Sequence, residues 1–510
     1  MRTFSINTLG CKVNQYEGQQ IRELLEHRGL RQAEWPQEPD MVVVHTCCVT
    51  HTASAKSRQC IRKVLKQNPQ SLVFVSGCLP AAQTGELNCF DENVHLLGNR
   101  SDLAATLTHW TQRKPDTPIK AKSGHKIKHK NEPASESERF DTLTVLSGVE
   151  GLPPLTSVKQ QTRAFLKVQD GCDGYCSYCI VPKTRPIVRS KPAETALLEA
   201  QALVKSGHRE IVVSGVFLGA YGRKSVRRRN WPDHCNDNLA DLLDRMAQIP
   251  GLARIRLSSL EPADVTERLL DTFCKHRNIM PHLHLALQSG SDAVLKRMCR
   301  QYRISEFRKK IESIKIRLDR PAITTDIIVG FPGETDADFE QTLDLARSVG
   351  FAKMHVFPFS ARRGTPAASM QDTVEKTVMK RRSEILLDLD VELGLRYRQQ
   401  FIGETAEILI ETRDDGREEE RTMDESALVS RPSSLIPRLC GRSERYFKVY
   451  IEFDCRLWRG RPGLAPRWLM ASGREQGQDA LATSKIENNE IVRVTLAKNR
   501  QDGMVGIRQS

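Results

Sequence analysis

The chain has 510 residues, and its 77 Lys and Arg against 63 Asp and Glu give a formal net charge of +14. This length predicts about three domains, and the positive balance favours a polyanionic partner such as nucleic acid. No apolar run approaches the ~18 residues of a membrane span, and the start MRTFSINTLG lacks the pattern of a secretory signal. We therefore expect reduced thiols rather than disulfides among the 14 cysteines, in a cytoplasmic protein without a membrane partner.

Residues 1–110 are predicted to form an N-terminal α/β domain. Short apolar strands alternate with amphipathic helices, and the strands are expected at Thr3–Asn7, Met41–Thr46 and Leu72–Ser76. This alternation is typical of a parallel sheet with helices covering its faces.

A cysteine follows each of these strands within a few residues. The carboxyl ends of parallel strands meet at one edge of a sheet, where open α/β sheets bind ligands. We therefore expect three thiols to converge there: Cys11, Cys47 and Cys78. The alternative is three independent buried thiols, because cysteine is often buried. Successive strand side chains point to opposite faces, so only one of Cys47 and the adjacent Cys48 is expected at the site.

Residues 111–162 lose this periodicity and are rich in Lys, Pro, Ser and His. This composition predicts a basic flexible linker. Its lysines are candidates for RNA contact, but no aromatic residue is interleaved with the charge run to stack on bases, which favours a solvated spacer.

Residues 163–400 are predicted to form a partial (β/α)6 barrel. Strand candidates alternate with helical segments and lie at Arg163–Val168, Glu210–Ser214, Arg254–Ser258, His282–Leu287, Ala322–Val329 and Ala352–Phe357. Catalytic groups of such barrels collect at the carboxyl ends of the strands.

Three cysteines with the spacing Cys-x3-Cys-x2-Cys follow the first barrel strand: Cys172, Cys176 and Cys179. Three thiolates can bind three irons of a 4Fe–4S cluster and leave one iron without a protein ligand. Structural zinc is the alternative, but closed zinc sites take four ligands, usually as two separated pairs, and no second pair lies nearby.

Polar residues and one glycine also follow the next three strands, and they are candidate cofactor contacts: Ser214, Gly215, Glu261, Gln288 and Ser289. Each is also a residue type that caps loops and turns. The basic run Arg223–Asn230 is either a solvated face or a contact with an RNA backbone.

Residues 401–510 are predicted to form a small antiparallel β-barrel. After a helix at Val374–Gln400, period-two patterns occur at Ala406–Glu411, Arg445–Phe453 and Ile491–Ala497. Within the second strand we expect Phe447, Val449 and Ile451 to face inward. Tyr446, Lys448 and Tyr450 would then face outward, where aromatics and a cation suit RNA binding.

Several motifs resemble those of a known family. Tyr178 precedes the last cysteine of the loop, as in radical S-adenosylmethionine (SAM) enzymes. Flanking segments resemble the methylthiotransferases of that superfamily: TLGCKVNQYE at Thr8–Glu17, HTCCVT at His45–Thr50, LALQSGSDAVLKRM at Leu285–Met298 and TDIIVGFPGETDADF at Thr325–Phe339. This sequence departs from the family at two positions, with His45 where asparagine is usual and Pro186 where glycine is usual.

The resemblance implies two 4Fe–4S clusters and SAM as cofactors. The catalytic cluster would be bound by Cys172, Cys176 and Cys179, and its open iron would chelate SAM. A second cluster would be bound by Cys11, Cys47 and Cys78, since Cys47 rather than Cys48 matches the motif position. Tyr178, Ser214 and Gln288 are the expected SAM contacts on the same basis.

The resemblance also implies an activity, because TLGCKVNQYE is similar to the branch acting on threonylcarbamoyladenosine in tRNA. That branch adds a methylthio group to carbon-2 of the modified adenosine beside the anticodon. The expected partners are tRNA, bound in part by a C-terminal TRAM domain, and a reductant protein of flavodoxin or ferredoxin type. The alternatives are methylthiolation of isopentenyladenosine in tRNA or of a ribosomal protein aspartate, and a non-catalytic iron-sulfur RNA-binding protein.

Overall fold

The structure is a computed structural model that describes residues 1–33, 37–82, 85–90, 94–98, 103–112, 152–231, 237–414, 438–452 and 489–508. Within these ranges no helix combines the length and the apolar character needed to cross a bilayer.

The N-terminal domain is a parallel sheet, as predicted, and it has five strands rather than the three expected. Its strands are β1 Thr3–Thr8, β2 Arg31–Gln32, β3 Met41–Thr46, β4 Leu72–Gly77 and β5 Val94–Leu96, in the order β2-β1-β3-β4-β5. Helices occur at Lys12–His27, His51–Gln67, Cys78–Ala81 and Leu103–Thr111. Every residue of β3 is buried, because helices cover both faces of the sheet and its central strand has no solvent side.

The central domain is the predicted partial barrel. Its strands are β6 Ala164–Asp170, β7 Arg189–Ser190, β8 Glu210–Gly215, β9 Arg254–Leu257, β10 Ser259–Leu260, β11 His282–Leu285, β12 Ala322–Val329 and β13 Lys353–Pro358. They form two sheets, β7-β6-β8-β9 and β10-β11-β12-β13. Only Ser258 separates β9 from β10, so these two segments act as one bent strand that joins the sheets. The result is six parallel strands, with the short β7 antiparallel on one edge.

Helices surround this barrel on its outer face. They lie at Val181–Thr184, Ala193–Lys205, Asn238–Met246, Glu267–Lys275, Asp292–Arg297, Ile304–Arg317, Asp336–Val349 and Lys376–Gln399, with 3-10 turns at Leu218–Ala220, Arg228–Asn230, Pro262–Asp264 and Pro366–Ser369. Alternate strand residues such as Val213, Leu257 and Leu283 belong to the apolar core beneath these helices. The intervening positions, among them Arg256 and His284, are polar and face the barrel lumen, since strand side chains alternate.

The C-terminal domain is a closed five-stranded barrel. Its strands are β14 Thr405–Asp414, β15 Arg438–Ser443, β16 Lys448–Glu452, β17 Ile491–Asn499 and β18 Met504–Arg508, in the order β14-β15-β16-β18-β17. Four pairings are antiparallel, as expected, whereas β16 and β18 run parallel.

The predicted strand at Arg445–Phe453 is wrong at its start. Tyr446 lies in the turn between β15 and β16 with a positive φ of 71°. The guanidinium groups of Arg163, Arg256 and Arg442 lie over its ring. Tyr450 is only 8% exposed. Neither tyrosine is therefore an open surface for stacking bases, although Val449 and Ile451 face the barrel core as predicted.

The end of the predicted linker is also packed structure rather than a flexible spacer. Leu152 and Leu155 are each 1% exposed, and the Leu155 amide donates to Glu199 at 3.0 Å. The Gln20 side chain donates to the Pro153 carbonyl at 2.6 Å. Residues 152–162 thus join the N-terminal domain to the barrel, while the basic stretch 113–151 lies outside the described residues.

Candidate active site

The loop containing Cys172, Cys176 and Cys179 lies at the carboxyl end of β6, where the barrel rule predicts it. Its fold is held by backbone contacts: the Cys179 amide donates to the Cys176 carbonyl at 3.0 Å, and the Gly174 amide donates to Cys172 Sγ at 3.3 Å. Ser177 Oγ donates to the Arg297 carbonyl at 2.8 Å, which fixes the loop against the next wall of the barrel.

Proline at position 186 is accommodated by the segment that returns over β6. The Arg185 carbonyl accepts the Cys172 amide at 2.8 Å. Gly171 has a φ of +78°, and a Cβ at this position would lie 1.8 Å from the Ile187 carbonyl oxygen. The close approach of the Ile187 carbonyl therefore requires glycine at position 171. Pro186 lies between Arg185 and Ile187, whose carbonyl groups face the cysteine loop.

Arg300 supplies a cation beside these thiols. One guanidinium nitrogen lies 3.2 Å from Cys176 Sγ and 3.5 Å from the Tyr178 hydroxyl, and the other pairs with Glu261 at 2.7 Å. Burial raises the pKa of the Cys172 and Cys179 thiols to about 12. Binding of a cluster must therefore displace their protons, and a nearby positive charge stabilises thiolate ligands. Sequence patterns did not identify Arg300, which lies over 120 residues away along the chain.

The other expected cofactor contacts lie at the carboxyl ends of the barrel strands or in the cysteine loop. They differ in burial and in their hydrogen bonds. The Ser214 hydroxyl is fully buried and donates to the Val212 carbonyl at 3.2 Å. Gln288 is 9% exposed and has a φ of +64°, a left-handed conformation that is costly for a residue with a side chain. The Tyr178 ring meets Phe331 edge-on at 6.5 Å. Ser289 accepts the Ser291 amide at 3.2 Å, so it is a turn residue.

The basic run Arg223–Asn230 contributes to this site rather than forming a wholly solvated face. Arg228 pairs with Glu261 at 3.2 Å and with Asp264 at 2.7 Å. Glu261 is thus held between two arginines and is not free to bind an ammonium group alone. Arg227 pairs with Asp173 at 3.3 Å and lies over the Tyr175 ring at 4.0 Å.

Cys11, Cys47 and Cys78 follow β1, β3 and β4, so all three lie at the same edge of the N-terminal sheet. Asn14 connects their loops: its amide donates to the carbonyls of Leu9 and Thr46 at 2.9 Å each, and its carbonyl oxygen lies 3.9 Å from Cys78 Sγ.

Cys47 and Cys48 have different surroundings. Gly10 approaches Cys47 so closely that an added Cβ would lie 2.6 Å from the Cys47 Cβ. A cavity of about 240 Å³ opens beside Cys47 and is lined by Leu9, Gly10, Thr50, Thr52, Ala53 and Lys56. Cys48 is fully buried, and its thiol donates to the Cys78 carbonyl at 3.2 Å. Burial raises the pKa of Cys47 to about 11.

Among the described residues, the group of possible metal ligands whose ligand atoms all lie within 4.8 Å of one another is His284, Asp326 and His355, and it contains no cysteine. A closed zinc site takes four ligands, whereas three thiolates can hold a 4Fe–4S cluster and leave one iron open.

A buried ionic network joins the two triads. Arg185 pairs with Glu17 and Asp170, with nitrogen–oxygen distances of 2.7 and 2.8 Å, and donates to the Asn14 carbonyl oxygen at 3.0 Å. His45 lies 3.1 Å from Glu17 and 2.8 Å from the Ser76 hydroxyl. The histidine that departs from the family pattern is therefore part of the network.

Two family models match this chain. The Radical SAM superfamily model matches residues 166–346, and the model described as uncharacterized protein family UPF0004 matches residues 3–98. Among solved structures, the cobalamin-dependent S-adenosylmethionine radical enzyme OxsB superposes with a TM-score of 0.50 at 10% identity, over 78% of this chain and 68% of that chain. At this identity the likeness shows the fold alone.

Curated relatives extend the match to most of the chain. The threonylcarbamoyladenosine tRNA methylthiotransferase MtaB of Bacillus subtilis is 35% identical over 82% of this chain and 87% of that protein. The protein of the same name from Thermotoga maritima is 34% identical, over 81% and 87%. A tRNA-2-methylthio-N(6)-dimethylallyladenosine synthase of Desulfitobacterium hafniense is 32% identical, over 79% and 85%.

A parallel α/β domain and a partial barrel, each with three thiols at its carboxyl edge, define a radical SAM enzyme of the transferase class. The chain belongs to the radical SAM tRNA methylthiotransferase family.

Proposed function

We propose that this protein adds a methylthio group to carbon-2 of N6-threonylcarbamoyladenosine beside the anticodon of tRNA. The observation that carries the proposal is the pair of cysteine triads connected through Arg185 and Glu17. The relatives named for this substrate, at 34–35% identity, support it over the dimethylallyladenosine enzymes at 32%.

Each triad is proposed to bind a 4Fe–4S cluster. Cys172, Cys176 and Cys179 would hold the barrel cluster, next to the Arg300 guanidinium. The donor set fits, since three thiols leave one iron open for another ligand. When bound there, the cluster and SAM supply the one-electron chemistry that activates an otherwise inert carbon.

The second cluster is proposed to lie on Cys11, Cys47 and Cys78 and to hold the sulfur that is transferred. Cys47 is favoured over Cys48 because the cavity opens at Cys47, whereas the Cys48 thiol donates to a backbone carbonyl.

Three residues are proposed to orient SAM in the barrel mouth. The Ser214 hydroxyl donates its proton to the Val212 carbonyl, so its lone pairs remain to accept a hydrogen bond. The Gln288 side chain provides both a donor and an acceptor, and Tyr178 provides a ring beside the cluster loop.

The proposed partners are tRNA and a reductant protein of flavodoxin or ferredoxin type. Residues 401–510 are proposed to act as a TRAM-like RNA-binding domain, with the cations of its surface rather than its tyrosines making the contacts. A tRNA substrate agrees with the cytoplasmic location expected from the sequence.

Mass spectrometry of tRNA nucleosides from cells lacking the protein tests this proposal. We expect the methylthio form of threonylcarbamoyladenosine to disappear and its unmethylthiolated precursor to accumulate. An unchanged nucleoside profile would contradict the proposal, and loss of methylthio-isopentenyladenosine instead would assign the other tRNA substrate. Release of 5′-deoxyadenosine by the purified, reduced protein with SAM separates an enzyme from a non-catalytic RNA-binding protein.

A further inference from the structure

The barrel lumen contains two histidines and one aspartate that lie close together and belong to neither cysteine triad. His284, Asp326 and His355 each offer one ligand atom, and these atoms all lie within 4.8 Å of one another. His284 Nε2 is 3.2 Å from Asp326 Oδ2. The ring centroids of His284 and His355 are 5.8 Å apart. We call these three residues the lumen trio.

The register of three parallel strands accounts for this convergence. Asp326 on β12 is directly opposite His355 on β13, so their side chains leave the sheet on the same face. His284 on β11 is opposite Thr324, which lies two residues before Asp326 and therefore points to that face as well. The backbone of a parallel sheet, rather than a loop, thus sets the position of the trio.

Thr324 orients the ring of His284. Its hydroxyl lies 3.0 Å from His284 Nδ1 and 3.3 Å from His282 Nε2. The hydroxyl can accept a hydrogen bond from His284 Nδ1 while donating its own proton to His282 Nε2. In that tautomer the lone pair of His284 Nε2 faces Asp326, as a metal ligand requires. Metal-binding histidines commonly donate their other ring nitrogen to a polar group in this way.

Asp326 has no lysine or arginine as an ion-pair partner within the part of the chain that the structure describes; its partner is His284. Basic side chains of the same barrel are paired with other acids: Arg256 with Glu210 at 2.9 Å, and Lys353 with Asp390. The carboxylate of Asp326 is therefore available to a cation, and carboxylate and imidazole are both ligands of divalent first-row metals.

The distances also suit a single ion. Metal bonds to histidine and aspartate are ~2.0–2.2 Å long, so two such ligands at tetrahedral angles are ~3.3–3.6 Å apart. The 3.2 Å between His284 Nε2 and Asp326 Oδ2 is close to this spacing. The His355 side chain is exposed and makes no hydrogen bond to any residue that the structure describes. Its ring can therefore turn to complete the ligand set.

We propose that the lumen trio binds one divalent transition-metal ion through His284 Nε2, the Asp326 carboxylate and a ring nitrogen of His355. Two histidines and one carboxylate leave further coordination positions open. The site lies next to Gln288, whose amide donates to the Asp326 carbonyl at 2.8 Å. An oxygen atom of a substrate held in the barrel can therefore complete the coordination of the ion.

The test measures bound zinc in the full-length protein after reconstitution with iron and sulfide. Zn²⁺ is the probe because it accepts imidazole and carboxylate ligands and has no redox chemistry of its own. The protein is equilibrated with Zn²⁺ buffered by a weak chelator, and zinc and iron are measured per chain. Wild type should bind one zinc ion. X-ray absorption at the zinc edge should show nitrogen and oxygen neighbours at ~2.0–2.2 Å and no sulfur at ~2.3 Å.

His355→Gln should weaken zinc binding at least about 100-fold and leave the iron content unchanged. Loss of a group that only orients a ligand costs about 10–100-fold, and loss of a ligand should cost no less. Thr324→Val should therefore weaken zinc binding about tenfold. The matched control is His276→Gln. His276 also pairs with a carboxylate, that of Asp244 at 2.7 Å, but has no third ligand among the described residues, so zinc binding should not change.

Equal zinc and equal iron in wild type and His355→Gln would overturn the proposal. So would bound zinc whose neighbours are mainly sulfur, because that zinc would be held by cysteines. Neither readout uses a tRNA substrate, so the result is independent of which nucleoside the protein modifies.

Discussion

Arg185 and Glu17 form a buried, bidentate ion pair, with Nη1–Oε1 at 2.7 Å and Nη2–Oε2 at 2.8 Å. Glu17 lies on the helix that follows Cys11, and the Arg185 carbonyl accepts the amide of Cys172. One pair of side chains therefore sets the relative position of the two cysteine triads. In the proposed reaction, a sulfur held on the N-terminal triad must reach a substrate activated at the barrel triad. The ion pair that positions the two triads therefore matters for that transfer.

Arg185→Met should destabilise the protein strongly. It removes one cationic partner of Glu17 and Asp170 and leaves them to share Lys167, and breaking a buried pair costs about 3–5 kcal/mol because the buried negative charge is less fully compensated. Urea unfolding of the wild type and the variant measures this difference. Arg245→Met is the matched control, since Arg245 pairs with Glu194 at the surface and should cost less than about 1 kcal/mol. Equal effects of the two substitutions would contradict a structural role for the Arg185 network.

The stability of the protein should depend on pH through Glu210, which lies where the central barrel meets the C-terminal barrel. Burial raises its pKa, but Arg256, Arg163 and Arg254 outweigh burial and hold the pKa below the ordinary value of 4.5. A carboxyl with a lowered folded pKa contributes stability above pH 4.5 and loses it as pH falls through the folded pKa. Glu210→Gln should therefore be less stable than wild type at neutral pH, by about 3 kcal/mol. The difference should shrink below pH 4.5 in urea titrations, and a difference that grows on acidification would refute the assignment.

Cations of the C-terminal barrel are expected to contact the tRNA backbone. Lys448 lies 4.4 Å from the Tyr450 ring, and Lys498 is exposed on β17. Replacing both with glutamine should weaken tRNA binding and reduce the slope of log K against log salt by about 0.9 for each phosphate that the variant no longer neutralises. Lys309→Gln, at an exposed lysine on the outer helix Ile304–Arg317 of the central barrel, is the control. If the double variant keeps the wild-type salt slope, these lysines do not face the RNA.

The placement of both cysteine triads was predictable because it follows from local patterns. Each N-terminal cysteine follows a strand within a few residues, and the carboxyl ends of parallel strands meet at one edge. The barrel loop follows β6 for the same reason. Short, regular alternation thus sufficed to predict the long strands of the N-terminal sheet and of the central barrel, and the edges where thiols gather, whereas the short strands β2, β5 and β7 were not predicted.

Contacts between distant segments were not predictable in this way. Glu17 and Arg185 are separated by 168 residues, and their pairing depends on how two domains pack. Tyr446 continues the period-two pattern of β16, yet the arginines that surround its ring hold it in a turn. Leu152 and Leu155 lie at the end of a polar stretch. The composition of the whole stretch predicted a flexible linker, so their burial was not predicted.

The most direct test of separate roles for the two triads, SAM cleavage at one and sulfur transfer at the other, measures two products side by side. These are 5′-deoxyadenosine and the methylthio product, after anaerobic reduction with SAM and tRNA. Cys172→Ala should form neither product, and Cys47→Ala should form 5′-deoxyadenosine without methylthiolation. Iron content should fall by about half in each, if every triad holds one 4Fe–4S cluster. Cys48→Ala, the neighbouring control, should retain both products, whereas full methylthiolation by Cys47→Ala would contradict the assignment of sulfur transfer to the N-terminal triad.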